Sequence, residues 1–209
     1  KGLAIVGRAV ATRTTLPVTQ NVLLATDQGR LKLAATNLEV AITTWIGAQV
    51  EEEGSITVPA RLLTEFVTSL PVERVDVTAA ARPRGLELRC ARIEARINGT
   101  DAEEFPPIPT VQEGAVARLD PKALHAAISQ VVFAAATEDS RPVLTGVQVE
   151  IEGGKTTFAA ADGFRLAVHY GQLLEPLKEP VKVIIPAKTL REIDRLLVTV
   201  KSQKAAGQE

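Results

Sequence analysis

Apolar residues recur at helical spacing in some segments of this chain and alternate with polar residues in others. Leu124, Ile128 and Val131 fall on one side of a predicted amphipathic helix, with polar residues on the other side. Alternating apolar residues then predict strands over residues 143–151 and 156–161, joined by a Gly-Gly turn. The pattern predicts a helix that is followed by a β-hairpin.

A strand, a Pro-Ala-basic step and an amphipathic helix occur twice in the chain. The segment SITVPARLLTEFVTSL occupies residues 55–70, and VKVIIPAKTLREIDRLL occupies residues 181–197. In each segment the proline fits the first turn of the helix, where its missing N–H is not needed. The repeated step is therefore interpreted as a junction between a strand and a helix.

Between these two segments the apolar alternation changes phase. It runs through Leu86 and Leu88 and resumes, shifted, at Ile93, Ala95 and Ile97. Since neighbouring strand residues point to opposite faces of a sheet, such a shift marks a tight turn between two strands. The elements together predict an α+β fold in which two helices pack on one face of an antiparallel sheet.

The two segments belong to a longer internal repeat. Residues 16–42 align with residues 141–167 at a fixed offset of 125 positions. The identical pairs in this alignment are Pro17 and Pro142, Val18 and Val143, Val22 and Val147, Gly29 and Gly154, Ala34 and Ala159, and Ala35 and Ala160. The chain is therefore interpreted as two copies of one domain, over residues 1–113 and 114–209.

Composition restricts the class of protein. The chain has 45% hydrophobic and 23% charged residues with a net charge of −1, which is typical of a soluble globular protein. No stretch approaches the roughly twenty apolar residues of a membrane span, and no signal-peptide pattern opens the sequence. The single cysteine, Cys90, suits a reducing compartment, so a cytoplasmic location without membrane contact is expected.

Several residues of catalytic or metal-binding type lack the neighbours that their chemistry needs. The segment GGKTT ends like a phosphate-binding loop but lacks the earlier glycine and the following helix. His125 and His169 have no cysteine or acidic partner at metal-ligand spacing, and Cys90 has no local histidine. Asp162 is interpreted either as a turn residue or as the general base of a hydrolase. No cofactor, no metal and no enzymatic activity are expected.

Basic residues cluster on one side of the last predicted helix. The candidates for contact with nucleic acid are Lys188, Arg191 and Arg195 on that helix, and Arg8 and Arg13 near the start of the chain. Glu192 and Asp194 lie close by and weaken the positive charge. From the residues alone, a solvated outer face is therefore favoured over a face that binds duplex DNA.

Five segments resemble the bacterial sliding clamp, the beta subunit of DNA polymerase III, in their order and spacing. They are TLPVTQNVLLATDQGRLKLAATNLEVAI, TVPARLLTEFVTSLP, DAEEFPPIP, DSRPVLTGVQVEI and AADGFRLAV. Clamps of this family carry three copies of one domain in each chain, and two chains close head-to-tail into a homodimeric ring around duplex DNA. The resemblance implies a first domain without its N-terminal strand, a second domain without its C-terminal part, and no third domain.

The resemblance also implies a function. In such clamps the sheets form the outer wall and the helices line a concave face, where Lys and Arg contact phosphates without reading bases. The clamp is a processivity factor that holds the replicative DNA polymerase on double-stranded DNA. The basic residues named above are then the expected DNA contacts. The alternative is a tandem-repeat scaffold that binds protein and has no DNA function.

Two further sites are implied by the resemblance. A pocket that docks short peptides of DNA polymerase III, of other polymerases and of the clamp loader would use Arg141, Leu144, Ala161, Gly163, Phe164, Arg165 and Leu166. Ala161 stands where threonine is common in the family, and Phe164 stands at a variable position. The dimer interface would use Phe66, Leu70, Phe105 and Ile108, for which packing in the core is the alternative explanation.

Overall fold

The computed structural model describes residues 1–12, 14–110, 113–138 and 140–206, and it describes the side chains of the last helix up to residue 198. The chain divides into two units, Lys1–Thr110 and Val111–Glu209. None of the helices in these ranges is long and apolar enough to cross a membrane.

The first unit contains two antiparallel sheets. Its elements in chain order are α1 (Gly2–Val6), β1 (Asn21–Asp27), β2 (Arg30–Thr36), β3 (Ala41–Gly47), β4 (Ser55–Pro59), α2 (Ala60–Ser69), β5 (Asp76–Ala81), β6 (Arg84–Cys90) and β7 (Ile93–Asn98). The strand order is β3-β2-β1-β4 in one sheet and β5-β6-β7 in the other. The turn between β6 and β7 lies where the apolar alternation changes phase, which confirms that prediction.

The core of the first unit is shared by both sheets and by helix α2. Leu33 on β2, Val58 on β4, Leu63 on α2, and Leu86 and Leu88 on β6 are each at most 2% exposed and belong to one buried cluster. Burial of side chains of this size is the main favourable contribution to folding. Both sheets are therefore held by one core.

The two sheets of the first unit also meet through a polar contact. Thr57 on β4 and Thr100, just after β7, form an isolated antiparallel bridge. Asn21 on β1 donates from its side-chain amide to the Thr57 hydroxyl over 3.2 Å. Thr57 is fully buried, and the hydrogen bonds satisfy its hydroxyl where water is excluded.

The second unit repeats the first sheet of the first unit. Its elements are α3 (Pro121–Val131), β8 (Gly146–Glu152), β9 (Lys155–Ala161), β10 (Leu166–Gln172), β11 (Val181–Pro186) and α4 (Ala187–Ala206), and its antiparallel strand order is β10-β9-β8-β11. This order matches β3-β2-β1-β4 element by element. The predicted α+β class, with helices on antiparallel sheet in two copies, is confirmed.

The helices of the second unit pack on its sheet through the predicted apolar residues. Ile128 and Val131 on α3, Leu190 on α4, and Val147 and Phe158 on the sheet are each at most 3% exposed. Helix α3 is capped by Asp120, whose carboxylate accepts hydrogen bonds from the N–H groups of Lys122 and Ala123. This cap and the apolar stripe explain the position of α3.

The segment before β8 differs from its prediction. A strand was expected from residue 143, but Pro142–Thr145 forms a short 3₁₀ helix and the strand begins at Gly146. Pro142 starts this turn because its ring fixes φ at a helical value, and the Thr145 hydroxyl donates to the Pro142 carbonyl over 2.7 Å. The same 3₁₀ turn occurs at Pro17–Gln20 in the first unit.

The strand-to-helix junction is also one residue later than predicted. Pro186 is the last residue of β11 and pairs with Gly146, so helix α4 begins at Ala187 and not at the proline. In the first unit Pro59 likewise precedes α2 and forms its N-cap. The proline therefore lies just outside the helix, where its missing N–H again costs nothing.

The only tryptophan of the sequence lies on the edge strand β3. Its indole Nε1–H donates to the Asp27 carboxylate over 2.6 Å, which fixes the ring. The Arg30 guanidinium and the Lys32 ammonium lie 5.6 and 6.0 Å from the centre of the Trp45 ring, within cation–π distance. Trp45 is therefore a partly exposed but well-held residue of the first unit.

Candidate functional site

Helix α4 presents the predicted basic face. Lys188 and Arg191 are exposed, whereas Ala187 and Leu190 turn into the core. The Arg191 guanidinium donates to the Val132 carbonyl at the end of α3 over 3.4 Å, so the side chain lies along the surface between the two helices. Lys188 forms no ion pair with any residue in the described part of the chain.

The two acidic residues of α4 have partners within the unit. Glu192 pairs with Arg195 on the same helix, and the Asp194 carboxylate lies 2.5 Å from Nδ1 of His125 on α3. Neither acidic residue pairs with Lys188 in the described part of the chain, although the sequence suggested that Glu192 and Asp194 weaken the whole face. Because Arg195 pairs with Glu192, the positive charge of Arg195 is partly compensated.

The two remaining basic candidates belong to the first unit. Arg8 is exposed on a short 3₁₀ turn, Gly7–Ala9, that follows α1. Arg13 lies outside the described residues. Contact of these arginines with DNA stays a prediction.

The candidate peptide site is built on the turn between β9 and β10. Oδ1 of Asp162 accepts hydrogen bonds from the N–H groups of Phe164 and Arg165 over 3.0 and 3.1 Å. Oδ2 accepts one from Nε of Arg165 over 2.8 Å. The backbone hydrogen bond from Phe164, followed by those from Arg165, lowers the pKa of the Asp162 carboxyl.

This arrangement does not suit a general base. The lone pairs of Asp162 point to its own turn, and a lowered pKa weakens the carboxylate as a proton acceptor. The structure therefore favours the interpretation of Asp162 as a turn residue over its interpretation as a hydrolase base. Within the described ranges, no three His, Cys, Asp or Glu side chains are grouped as metal ligands would be.

The predicted apolar residues of the peptide site are unusually accessible. Phe164 is 97% exposed and Leu166 is 69% exposed, whereas Leu144 is half-buried on the 3₁₀ turn before β8. Ala161 pairs with Leu166 across β9 and β10, so both lie at the same end of the sheet. Such residues could contact the apolar side chain of a docked peptide.

Two arginines flank the turn. Nη2 of Arg141 donates to the Asp162 carbonyl over 3.5 Å, and the Arg141 guanidinium lies against Gly163. Gly163 has φ +95°, and a Cβ there would lie 3.2 Å from the Arg141 nitrogens. The positive φ favours a glycine at this position, although Leu38 has φ +74° at the equivalent position of the first unit. The turn brings together Arg141, Gly163 and Arg165, and their contact with a peptide stays a prediction.

One residue of this surface was not predicted from the sequence. Phe133, just after α3, is 56% exposed, and the Arg165 guanidinium carbon lies 5.8 Å from the centre of its ring. The signal was present in the sequence, because Phe133 follows the buried Val131 and Val132 and does not fit the apolar stripe of α3. Phe133 and Arg165 therefore form an aromatic and basic surface beside the turn.

Comparison with known protein families accounts for both units. The DNA polymerase III beta subunit, N-terminal domain, matches residues 1–109, and the DNA polymerase III beta subunit, central domain, matches residues 118–204. The chain belongs to the bacterial beta sliding clamp family. Its members are non-catalytic processivity factors.

Individual clamps agree with this assignment. The beta sliding clamp of Synechococcus elongatus is 36% identical over 207 residues, which cover 97% of this chain and 55% of that protein. The clamp of Synechocystis sp. is 38% identical over 219 residues, which cover 95% of this chain and 55% of that protein. This chain spans about half the length of the curated clamps that it matches.

Solved clamps share the fold. A DNA polymerase sliding clamp from Bacillus subtilis superposes with a TM-score of 0.88 at 28% identity, over 93% of this chain and 53% of that one. The DNA polymerase III subunit beta from Pseudomonas aeruginosa gives 0.87 at 32% identity, over 94% and 54%. The superposition covers both units of the chain.

The residues expected at a clamp dimer interface differ in exposure. Phe105 is 7% exposed, so it packs inside the first unit. Phe66 is half-buried and packs against the core of that unit, and Leu70 and Ile108 are half-buried. Of the four residues, Phe105 therefore fits the alternative of core packing best, and the other three keep some surface for a partner.

Proposed function

We propose that this chain is part of a sliding clamp, a processivity factor that encircles duplex DNA and tethers the replicative DNA polymerase. The observation that carries the proposal is the shared strand order of the two units, each of which matches one domain of the clamp family. A ring that contacts a duplex in the same way on all sides can be built from repeats of one unit. The clamp would act in the cytoplasm, on chromosomal DNA.

The DNA contact would be electrostatic and independent of sequence. Lys188 and Arg191 lie exposed on one helix face, and Arg195, Arg8 and Arg13 would add further positive charge. Lys and Arg side chains on a helix that crosses the phosphates read charge and not base edges. Such contacts hold the DNA weakly and permit sliding, while enclosure by the ring prevents dissociation.

Two protein contacts complete the proposal. Short peptides of DNA polymerase III, of other polymerases and of the clamp loader would dock on a surface that includes Arg141, Leu144, Ala161, Gly163, Phe164, Arg165 and Leu166. The ring would close head-to-tail as a homodimer. Phe66, Leu70 and Ile108 would contribute to that interface from the exposed side of the first unit, and Phe105 would support them from within.

The salt dependence of DNA binding distinguishes enclosure of the DNA by a ring from electrostatic binding. A few Lys and Arg contacts give this chain a dissociation constant for duplex DNA of roughly 10⁻⁴ to 10⁻⁶ M at physiological salt, and the affinity falls steeply as salt rises. A complete clamp that is loaded on circular DNA should instead resist salt, because salt screens charges but does not open a ring. The test is retention of both proteins on nicked circular DNA across a salt series.

Charge-reversed variants identify the DNA-binding face. Lys188→Glu with Arg191→Glu should reduce the weak binding of this chain. Lys155→Glu with Lys178→Glu changes the net charge equally at exposed positions away from α4 and should reduce binding much less. Salt-resistant binding by the chain alone, or equal losses in the two double variants, would contradict the proposed mode of DNA contact.

A further inference from the structure

The turn that carries the candidate peptide site occurs in both units. Asn37, at the position equivalent to Asp162, accepts hydrogen bonds with Oδ1 from the N–H groups of Glu39 and Val40 over 3.0 and 2.8 Å. The backbone N–H of Asn37 donates to the Val40 carbonyl over 3.2 Å, as that of Asp162 donates to the Arg165 carbonyl over 3.3 Å. The two turns therefore share one hydrogen-bonding pattern.

Comparison of the Asn37 turn with the Asp162 turn shows which features of the Asp162 turn are not needed to form it. In the first unit an uncharged asparagine is sufficient to form the turn. In the second unit the residue is an aspartate, and its other oxygen accepts a hydrogen bond from Nε of Arg165 over 2.8 Å. Arg165 stands where the first unit has Val40, which cannot form such a bond. The negative charge of Asp162 is thus not required by the fold of the turn.

The carboxylate orients the arginine. The Asp162 side chain is 18% exposed and already fixed by two backbone N–H groups, so it is a rigid acceptor for the more exposed Arg165. With Nε bound in this way, the Arg165 guanidinium carbon lies 5.8 Å from the centre of the Phe133 ring. In the described part of the chain Asp162 binds Arg165 through Nε, and we expect the terminal N–H groups of Arg165 to donate to a ligand.

We propose that Asp162 is a positioning residue of the candidate peptide site, whose carboxylate orients Arg165 on the ring of Phe133. The oriented pair forms a basic and aromatic edge beside Phe164 and Leu166. It would receive a peptide that carries an apolar side chain for Leu166 and an acceptor, a carboxylate or a carbonyl, for Arg165. This inference rests on the proposed peptide-binding function and assigns Asp162 a role that is distinct from ligand contact.

The orienting effect can be measured without any peptide. Asp162→Asn keeps the Oδ1 acceptor, as Asn37 does in the first unit, and removes the charge that binds Arg165. In ¹⁵N NMR relaxation of the chain, the Arg165 Nε–H should be as ordered as the backbone in the wild type. In Asp162→Asn the Arg165 Nε–H should become as mobile as the Nε–H of the exposed Arg92. The backbone amides of Phe164 and Arg165 should keep their protection from hydrogen exchange. An Arg165 Nε–H that stays ordered in Asp162→Asn would overturn the proposal.

A matched control removes the same charge elsewhere. Asp76 forms an exposed ion pair with Arg74 in the first unit, with 2.7 Å between Oδ1 and Nε. Asp76→Asn therefore changes the net charge by the same amount, and it should leave the Arg165 Nε–H unchanged. Loss of Arg165 order in Asp76→Asn would show a general effect of charge and would also overturn the proposal.

The role in binding is tested by NMR titration with a synthetic clamp-binding peptide of DNA polymerase III. Asp162→Asn should raise the dissociation constant about threefold, and Arg165→Ala should weaken binding less in that variant than in the wild type. Binding by Asp162→Asn that equals or exceeds that of the wild type would overturn the positioning role. No binding by the wild type would instead remove the proposed peptide site, and the relaxation data would still decide whether Asp162 orients Arg165.

Discussion

Thr57 and Thr100 hold the two sheets of the first unit together through backbone and side chain at once. Their backbone N–H groups donate to each other's carbonyls over 3.1 and 2.9 Å, and their hydroxyl oxygens lie 2.6 Å apart. The side-chain amide of Asn21 reaches both hydroxyls. This cluster forms the polar part of the contact between the two sheets, and the shared core forms the apolar part.

Removal of the Thr57 hydroxyl should destabilise the first unit. Thr57→Val keeps the shape of the side chain but removes a hydrogen-bond acceptor from the buried Asn21 side-chain amide. We expect the free energy of unfolding to fall by about 1–2 kcal/mol in a urea titration that is followed by Trp45 fluorescence. Thr78→Val, on the exposed face of β5, should change it little. Equal effects of the two substitutions would contradict the role of the cluster.

Gly99 should tolerate no side chain. A Cβ at this position would lie 2.7 Å from the Thr57 carbonyl oxygen and 2.8 Å from Cδ1 of Ile56, and the carbonyl cannot move without breaking the bridge to Thr100. We expect Gly99→Ala to cost about 1–3 kcal/mol of unfolding free energy. Gly54→Ala is the matched control, because a Cβ at Gly54 meets nothing within 4 Å. Thermal melts of both variants measure the difference.

The apolar anchors of the candidate peptide site should matter for peptide affinity. Leu144→Ala with Leu166→Ala removes apolar surface beside Phe164, and truncation of such anchors typically costs about 1–3 kcal/mol of binding free energy. Calorimetric titration of a complete clamp with a clamp-binding peptide measures the loss. Leu62→Ala with Val72→Ala removes exposed apolar side chains of the first unit and should leave the affinity unchanged. Normal binding of the peptide by the variant with Leu144→Ala and Leu166→Ala would contradict the proposed peptide site.

The stability of the Asp162 turn should decrease at low pH. Its carboxyl has a pKa below the ordinary value of 3.8, mainly because the carboxylate accepts a hydrogen bond from the Phe164 amide. A group whose pKa is lowered by folding stabilises the folded state above its ordinary pKa, and this contribution is lost as the pH falls through the lowered value.

The order of the Arg165 Nε–H should therefore stay constant from neutral pH down to 3.8 and decrease at lower pH. A ¹³C titration of the Asp162 carboxyl measures its midpoint directly. A midpoint at or above 3.8 would contradict the hydrogen bonding described for the turn. Asp162→Asn should show no such titration, since it carries no ionisable group at that position.

The fold was largely predictable from periodicity and repetition. The offset of 125 residues placed Asn37 on Asp162 in the alignment, and the structure gives both residues the same turn. The phase change after Leu88 located a hairpin, because alternation of side chains is a direct property of strands. The 3₁₀ turn at Pro142 was missed, since apolar Val143 and Leu144 fit a strand pattern equally well.

The candidate site was less predictable, because it depends on contacts between distant residues. The distance between Arg165 and Phe133 arises from packing of α3 beside β10, which no local pattern encodes. The pairing of Asp194 with His125 likewise joins two helices and changes the charge that remains on α4. Phe105 could not be assigned to core or interface from its residue type, since both places favour a large apolar side chain.

Trp45 and Tyr170 give the two units separate optical signals. The sequence has one tryptophan and one tyrosine, with Trp45 on β3 of the first unit and Tyr170 on β10 of the second. Indole fluorescence therefore reports melting of the first unit alone, and its emission also senses the Arg30 and Lys32 charges beside the ring. Absorbance of the phenol reports on the second unit. A denaturation experiment can thus ask which repeat unfolds first without any label or engineered probe.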